Sequence, residues 1–386
     1  MSLFIGFMLL LLSFIGYIYD KKILNPLFIM PFIWGIILLL FNIVPHNIYQ
    51  LQSQFLLSLI LWILSFMSVA FFTLSFKINT QTSIFNPKIF TIYYYLVIIC
   101  APIAIFLIVR EALKVGPELF FLKLRLMNTG IDEDSTFSLG PLAYVYNLAN
   151  IVCLLFTFYF DKISKKRYYI VLAIAIFLSL ITLARTSIVM LLIEIIVILY
   201  FKGKLNKKAI VKFGTTIVVF LGIVTFFRSL APWEKSVPFL ETFSTYLFAG
   251  MSAFDTINHQ YELQTGNYTF RFFYAVANAL GSSYEVKQNI LPYVYVPIPT
   301  NVYTILYPFY KDFGYLGVFT FGSIYGFIFG ILYKFANSKN ELAIILFAIV
   351  FPCLALQFMG ENIFLNLSTY LQYLIILLIP YYLKRI

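Results

Sequence analysis

Residues 168–201 read YYIVLAIAIFLSLITLARTSIVMLLIEIIVILYF, a long apolar stretch with Arg185 near its middle. Basic runs flank the stretch on both sides, at 161–167 before it and at 202–208 after it. A helix needs about 20 residues to cross a bilayer, so roughly 34 residues are too many for one crossing and suffice for two short ones. Basic loops stay on the cytoplasmic side of the membrane. The stretch is therefore predicted to form a hairpin with Arg185 at its outer tip. A cation at that place is energetically costly and indicates a functional role.

Composition extends this interpretation to the whole chain. Hydrophobic residues make up 62% of the sequence and charged residues 11%, against roughly 45–50% and 25% in soluble domains. The net charge of +11 lies mainly in short loops between apolar runs, which favours positive-inside topology over a nucleic-acid surface. The three cysteines, Cys100, Cys153 and Cys353, lie far apart in apolar segments and indicate neither a disulfide framework nor a metal site.

The apolar runs predict an all-α, polytopic integral membrane protein with about 11 transmembrane helices in a single domain, 1–386. The spans are predicted near 3–19, 27–44, 54–76, 89–109, 141–160, 168–184, 186–201, 209–227, 313–335, 342–360 and 367–383. Basic residues then fall in alternate loops, which places the N-terminus outside and the C-terminus in the cytoplasm. The first span lacks a basic start and a small-residue cleavage site, so we expect it to be retained.

Two predicted external loops are long, at about 110–140 and 228–312. The second exceeds what a compact domain normally leaves unstructured, so we expect it to have structure and function of its own. Within it, Phe239–Tyr261 has apolar residues at helical spacing and is predicted to be an amphipathic helix at the membrane interface. Prolines make Leu291–Pro308 extended or irregular. The sequence shows no internal repeat, which disfavours a secondary transporter.

Arginines on the predicted outer side are candidates for an anion site. Arg110 and Arg125 are explained by the tendency of cations at helix ends to reach the headgroups. Arg185 instead occupies a turn between two spans with no other charge nearby. A planar guanidinium pairs with phosphate or pyrophosphate through two hydrogen bonds, so Arg185, Arg228 and Arg271 are the candidate ligands of such a group.

Acidic residues and a histidine supply further candidates. Asp255 and His259 are four residues apart, so on a helix they would share one face. Such a pair could take a proton from a hydroxyl, or it could be a solvated polar face. Glu194 and Glu361 lie in or beside spans, where acids often mark a polar path, although each could simply pair with a cation.

No motif predicts a metal or a cofactor. Asp132-Glu133-Asp134 has the D-x-D spacing of a metal-binding pair, but its neighbours Asn128, Thr129, Gly130 and Ser135 favour a solvated turn. Walker, Rossmann, HExxH and GxSxG patterns are absent from the sequence. A soluble nucleotide-sugar donor is therefore not expected.

Two stretches together resemble the O-antigen polymerase (Wzy-type) family of oligosaccharide repeat-unit polymerases. One is Leu183-Ala184-Arg185-Thr186-Ser187, which opens an apolar span, and the other is Asn301-Val302-Tyr303-Thr304 with residues 307–317, YPFYKDFGYLG. The resemblance covers the C-terminal half to two-thirds of the chain. One departure is that an R-x10-G pattern described in some members is absent, since Gly281 follows Arg271 one residue too early.

The resemblance implies a reaction. Such polymerases join undecaprenyl-pyrophosphate-linked repeat units into O-antigen or a related surface polysaccharide at the outer face of the bacterial inner membrane. By position, Arg185, Arg228 and Arg271 would contact the pyrophosphate, because fixed guanidinium groups stabilise negative charge as the leaving group departs. His259, Asp255 or Asp312 would serve as the base for the attacking hydroxyl.

Partners and rivals follow from the same resemblance. Lipid-linked oligosaccharides and membrane lipids are the expected partners, with a chain-length regulator and a flippase as further ones, and no nucleic acid. An O-antigen ligase would differ only in its acceptor. A lipid-linked oligosaccharide flippase or other transporter is the non-enzymatic alternative, but transporters place charge within spans near the midplane, whereas 20 of the 43 charged residues here lie in the two predicted external loops.

Overall fold

The computed structural model describes residues 1–77, 83–129, 140–181, 185–206, 244–257, 265–288 and 290–383, with positions 208, 211, 214 and 215. Its α-helices are α1 (Ser2–Asp20), α2 (Pro26–Ile43), α3 (Ser53–Leu74), α4 (Pro87–Leu113), α5 (Phe120–Thr129), α6 (Gly140–Phe158), α7 (Lys165–Ile181), α8 (Arg185–Phe201), α9 (Gly250–Phe254), α10 (Arg271–Ala279), α11 (Tyr307–Asn337), α12 (Glu341–Ala355) and α13 (Leu367–Leu383). A π-helix, Thr245–Ala249, leads into α9, and Pro117–Leu119 and Phe160–Lys162 form 3-10 turns. Strands β1 (Val294–Tyr295) and β2 (Pro299–Thr300) pair antiparallel.

The predicted all-α membrane class is confirmed. Five of the described helices, α1 to α4 and α11, are long and apolar enough to cross a bilayer, and shorter apolar helices occupy Leu142–Phe158, Thr186–Phe201, Glu341–Ala355 and Leu367–Leu383. The predicted span near 209–227 lies almost entirely outside the described residues. Membrane crossing by the shorter helices, and with it the total of about 11, stays a prediction.

Asparagine followed by proline starts two of the spans. Asn25 Oδ1 accepts a hydrogen bond from the backbone N–H of Leu27 at 3.0 Å, and Asn86 Oδ1 accepts one from Ile89 at 3.3 Å. Pro26 and Pro87 follow as the first helical residues. An asparagine N-cap satisfies a free helical N–H, and proline at the first position has no N–H to leave unpaired, so these starts are encoded locally.

The chain divides into two compact units. The first contains 1–79, 237–338 and 350–368, and the second contains 80–236, 339–349 and 369–386. Each unit therefore combines segments that are distant in sequence. The predicted single domain over 1–386 and its two external loops stay predictions.

In the first unit, α3 and α11 form the central helix pair. Gly322 packs against Trp62, Gly326 against the backbone of Phe66, and Gly330 against Ala70, so the two helices run parallel. Small residues let helix backbones approach closely inside a membrane. Gly314 interrupts α11 with φ of 61°, a conformation that favours glycine, and its short first segment is thereby set at an angle to the rest.

In the second unit, α7 and α8 form the predicted hairpin. Ile188 and Leu192 of α8 pack with Ile176 and Leu180 of α7. At the other end of the pair, Lys204 Nζ forms an ion pair with Asp161 at 2.6 Å. Two helices that make contact at both ends in this way are antiparallel, as a hairpin requires, whereas its two membrane crossings and the outer position of Arg185 stay predictions.

Basic residues gather at one end within each unit. In the first, Lys22 Nζ donates to Asn337 Oδ1 at 3.1 Å, and Lys334 Nζ donates to the Leu74 carbonyl at 2.6 Å. In the second, Lys162 lies 4.8 Å from the centre of the Phe85 ring, and Arg167 lies 5.1 Å from that of Tyr94. Basic residues that occur in every second loop must lie at the same end of the helices, and the structure shows this grouping within each unit. Which side of the membrane each end faces stays a prediction.

Candidate functional site

The loops at the opposite end of the first unit converge around the start of α11. The Ile305 N–H donates to the Gln357 carbonyl at 2.7 Å, which ties the segment before α11 to the segment after α12. The Asp255 carboxylate binds the start of α3. The Phe248 ring packs against Phe41 near the end of α2, with ring centres 5.4 Å apart. Segments separated by hundreds of residues thus form one surface at this end.

Asp255 is held by the backbone at the start of α3. Its Oδ2 accepts a hydrogen bond from the Gln52 N–H at 2.7 Å, and its Oδ1 accepts one from the Phe55 N–H at 2.8 Å. A carboxylate here satisfies free N–H groups and lies at the positive end of the helix dipole. Burial raises the pKa of Asp255 above its ordinary value, although the two N–H donors partly oppose that shift. Its first role is therefore to join α9 to α3.

One expectation about this segment is wrong and one stays a prediction. The α9 helix ends at Phe254 with Asp255 as its C-cap, and His259 is outside the described residues, so the pairing of Asp255 with His259 stays a prediction. Within Phe239–Tyr261, the described residues from Phe248 to Phe254 are all buried. A helix buried on every face is not interfacial, because its small and aromatic side chains pack into the unit from all sides.

The amphipathic helix of this region is α10 instead. It begins at Arg271 and exposes Phe273, Val276 and Leu280, the last of them 83% exposed. An apolar exposed face next to a polar one is typical of a helix at a membrane interface. Periodicity alone did not separate this segment from the buried one, since both contain apolar residues at helical spacing.

Arg271 is the one candidate arginine whose side chain the structure describes. Its Nε donates a hydrogen bond to the Lys287 carbonyl at 2.5 Å, which fixes the direction of the guanidinium. Half-burial lowers the pKa of Arg271, yet arginine stays protonated in proteins. No carboxylate pairs with it among the described residues, so its terminal N–H donors are available to an anion.

Asp312 holds the turn that precedes Arg271. Its Oδ2 accepts a hydrogen bond from the Thr269 N–H at 2.7 Å, and Oδ1 accepts one from Tyr268 at 3.4 Å. The carboxylate lies in the short segment of α11 before Gly314. Asp312 thus connects α11 to the start of α10 and positions Arg271 through the backbone of the turn that precedes it.

A cavity of about 270 Å³ opens beside this turn. Its lining combines amide, hydroxyl and aromatic side chains with apolar ones, and comes from Ile290, Leu291, Asn301–Thr304, Tyr307, Pro308 and the loop 359–366. The Tyr303 and Tyr307 rings lie 4.3 Å apart between centres, and Tyr268 lies 5.4 Å from Tyr307. Tyr268 is thereby the link between the cavity and the turn that carries Arg271.

Glu361 fixes one wall of the cavity. Its carboxylate accepts backbone hydrogen bonds from Ile363 at 2.7 Å, Phe364 at 2.9 Å and Leu365 at 2.8 Å, and a further one from the Tyr325 hydroxyl. Burial raises the pKa of Glu361, and these donors oppose the shift. The predicted alternatives were a polar path or a pair with a cation. The structure shows a third role, since Glu361 folds the loop by accepting from its backbone.

The remaining predicted residues lie in the second unit or outside the described residues. Arg185 is the first residue of α8, and the structure does not describe its side chain. Ile181, at the end of α7, packs with Ile108 and Ala112 of α4 and with Leu124 of α5, so the end of α7 lies beside the first predicted external loop. Glu194 is buried within α8. Arg228 and the acidic triplet 132–134 are outside the described residues.

Sequence reasoning missed the cavity itself. In the sequence, Asn301, Thr304 and Tyr307 carry only the family resemblance, and Asn362 belongs to no motif. A signal was present, because the short connection 356–366 carries Gln357, Glu361 and two asparagines between strongly apolar helices. Polar residues that are dense at one membrane boundary indicate a polar site there.

Comparison with known proteins agrees with this architecture. A family model described as "Putative O-antigen polymerase" matches residues 2–357. An O-antigen polymerase from Shigella dysenteriae is 25% identical over 203 residues, which are 50% of this chain and 51% of the relative, so the match spans about half the length of that protein. No solved structure matches the chain. Because the family model covers nearly all of the sequence, the chain belongs to the O-antigen polymerase family.

Proposed function

We propose that the protein polymerises undecaprenyl-pyrophosphate-linked oligosaccharide repeat units into O-antigen or a related surface polysaccharide. Family membership supports this reaction. The observation that carries it is the Arg271 guanidinium, which has no carboxylate partner among the described residues, near a cavity with amide and hydroxyl groups. Anion and sugar are the two halves of a glycosyl pyrophosphate. The enzyme is on this proposal a metal-independent glycosyltransferase.

The chemistry is a single displacement. A hydroxyl oxygen of the acceptor sugar forms a bond to the anomeric carbon of the donor, the bond from that carbon to the pyrophosphate oxygen breaks, and the electron pair stays on the pyrophosphate. Arg271 stabilises the charge that develops on this oxygen, and Arg185 and Arg228 stay the further candidates that the resemblance implies. The guanidinium of Arg271 is prepared for the task, because the Lys287 carbonyl already orients it.

The hydroxyl proton needs an acceptor, and the three predicted bases are not equivalent. Asp255 and Asp312 both direct their oxygens at backbone N–H groups. We therefore assign them positioning roles and propose His259 as the base, since an unperturbed imidazole accepts a proton near neutral pH.

The site faces the outer side of the inner membrane on this proposal. Within each unit the basic residues gather at one end, and basic loops are cytoplasmic, so in the first unit the cavity end is external. The N-terminus is then outside and the C-terminus cytoplasmic. A flippase would deliver the substrate to that face, and a chain-length regulator would act on the product.

Deleting the gene and separating the surface polysaccharide on a gel tests the function. A polymerase mutant keeps a single-unit band and loses the ladder above it. Complete loss of polysaccharide from its anchor would instead indicate a ligase or a flippase, and an unchanged ladder would reject all three.

Single substitutions then test the arginines. Arg271→Ala and Arg185→Ala should each remove the ladder at normal protein level, because an oriented donor to the leaving group contributes about 10²–10³ in rate. Arg110→Ala is the matched control and should keep the ladder, since this exposed arginine at the end of α4 has no proposed role. A full ladder in Arg271→Ala would remove that residue from the mechanism.

A further inference from the structure

The cavity beside α11 differs chemically from a pyrophosphate site. Among the described residues that line it, none is a lysine or arginine, and the polar side chains are Asn301, Asn362, Asn366, Thr304, Glu361 and the two tyrosines. An anion would meet no cation here and would face one carboxylate, which opposes its binding. Amides and a hydroxyl instead match the hydroxyl groups on the edge of a sugar ring.

One buried hydroxyl in this cavity has no hydrogen-bond partner in the part of the chain that the structure describes. Thr304 is 0% exposed, and its Oγ1 has no hydrogen-bond partner among the described residues. An unsatisfied buried polar group costs about 1–3 kcal/mol, so such a group points to a missing partner. Thr304 lines the cavity, and a ligand hydroxyl placed there would supply that partner.

The neighbouring Gln357 adds an independent observation. Its side chain is fully buried, and neither its Oε1 nor its Nε2 has a hydrogen-bond partner among the described residues, whereas its backbone carbonyl accepts from Ile305 at 2.7 Å. Two unsatisfied polar side chains therefore lie at the junction between the segment before α11 and the loop 356–366. Buried polar groups without a partner are few in native proteins and each needs an explanation, and a polar ligand at this junction would supply one.

We propose that this cavity binds one uncharged sugar ring of the lipid-linked substrate, separately from the arginines that take its pyrophosphate. Its volume of about 270 Å³ lies below the roughly 300–1,000 Å³ of sites for drug-sized ligands, so it admits a single ring rather than a whole repeat unit. Thr304 with Asn362 provides hydrogen bonds, and the nearly buried Tyr303 and Tyr307 rings form part of the wall. The inference rests on the proposed function for the source of the sugar.

Thr304→Val is the decisive substitution, because valine keeps the shape of threonine and removes only the hydroxyl. The purified full-length protein in lipid nanodiscs is titrated with glucose, galactose, mannose, rhamnose, N-acetylglucosamine and N-acetylgalactosamine, and binding is followed by saturation-transfer NMR. We expect at least one sugar to bind, and Thr304→Val to weaken it about threefold to tenfold, the equivalent of one hydrogen bond. Thermal stability should be unchanged or higher, since an unsatisfied group is removed.

Two controls separate binding from structure. Ser13→Ala removes another buried hydroxyl without a partner, in α1 and away from the cavity, and should leave sugar binding unchanged. Asn362→Ala acts on the other wall, where the amide makes only one long bond of 3.4 Å to the Gly360 carbonyl, and it should weaken the same sugar. Titration with inorganic pyrophosphate should give the same affinity in the wild type and Thr304→Val.

The outcomes distinguish this inference from the proposed function. Failure of every sugar to bind the wild type, or equal binding by Thr304→Val and Asn362→Ala, overturns the sugar site even if gene deletion removes the ladder. Conversely, sugar binding that both variants weaken supports the site even if deletion leaves the ladder intact, in which case the polymerase function fails.

Discussion

Replacing Asp312 distinguishes a positioning carboxylate from a catalytic base. Its 2.7 Å bond from the Thr269 N–H holds the turn before Arg271, while the 3.4 Å bond from Tyr268 is long and contributes little. Asp312→Ala removes both bonds and leaves the N–H groups without this partner. Asp312→Asn keeps a neutral oxygen that can still accept from Thr269, so it preserves the geometry and removes the charge.

The magnitude follows from the single short bond. A hydrogen bond to a charged group contributes about 1.5–3 kcal/mol, against about 0.5–1.5 kcal/mol for a neutral one. With about 2 kcal/mol lost and 1.4 kcal/mol per factor of ten, the open population of the turn rises about thirtyfold in Asp312→Ala. A loss of about 1 kcal/mol raises it about fivefold in Asp312→Asn.

Hydrogen–deuterium exchange of the protein in nanodiscs measures these populations, because exchange of a protected amide reports local opening. The peptide that contains Tyr268 and Thr269 should exchange faster in the order wild type, Asn, Ala. The peptide that contains Gln52 and Phe55, which Asp255 holds, is the internal control and should not change. The polysaccharide ladder is recorded in the same strains.

Positioning predicts that Asp312→Asn keeps most of the ladder and that Asp312→Ala loses much of it. Loss of the ladder in Asp312→Asn with exchange equal to the wild type would make Asp312 the base and refute this reasoning. Unchanged exchange in Asp312→Ala would show that the carboxylate does not hold the turn at all.

Three further predictions use other parts of the chain. Burial raises the pKa of Asp255, so the stabilising contribution of this residue is present below the ordinary pKa and is lost as pH rises through the raised pKa. The melting temperature of the wild type should therefore exceed that of Asp255→Asn by less as pH rises. A constant or growing difference contradicts this. Gly326→Ala should lower the free energy of unfolding by about 1–3 kcal/mol, because a Cβ at this position overlaps the Phe66 carbonyl. Gly214→Ala is the control, since a Cβ there has no described atom within 4 Å. Equal melting temperatures of the two variants would reject the α3–α11 contact. In a variant without native cysteines, Asn366→Cys should react with a membrane-impermeant maleimide in spheroplasts and Ser338→Cys should not, and the reverse pattern would invert the predicted topology.

Local sequence determined most of the helices. Spans of about 20 apolar residues have few alternatives in a bilayer, because their backbone groups must pair internally. Asn25 with Pro26, and Asn86 with Pro87, mark starts that can be read from two residues each. The hairpin of α7 and α8 followed from the length of 168–201 and its basic flanks, and the irregular Leu291–Pro308 followed from its prolines.

The candidate site depended on tertiary structure. Asp255, Asp312 and Glu361 looked alike in sequence as acids near membrane boundaries, yet each binds backbone N–H groups of another or its own segment. Those partners are distant in sequence in two of the three cases, and single-sequence periodicity carries no information about them. The same holds for the cavity, whose walls come from residues near 302 and near 361. The hydropathy of the chain alone therefore determined that it is a membrane protein of many helices, because each span must be apolar along its own length to lie in lipid. Only the packing of α3 against α11 and the hydrogen bonds between the loops decided which polar groups were left free to bind.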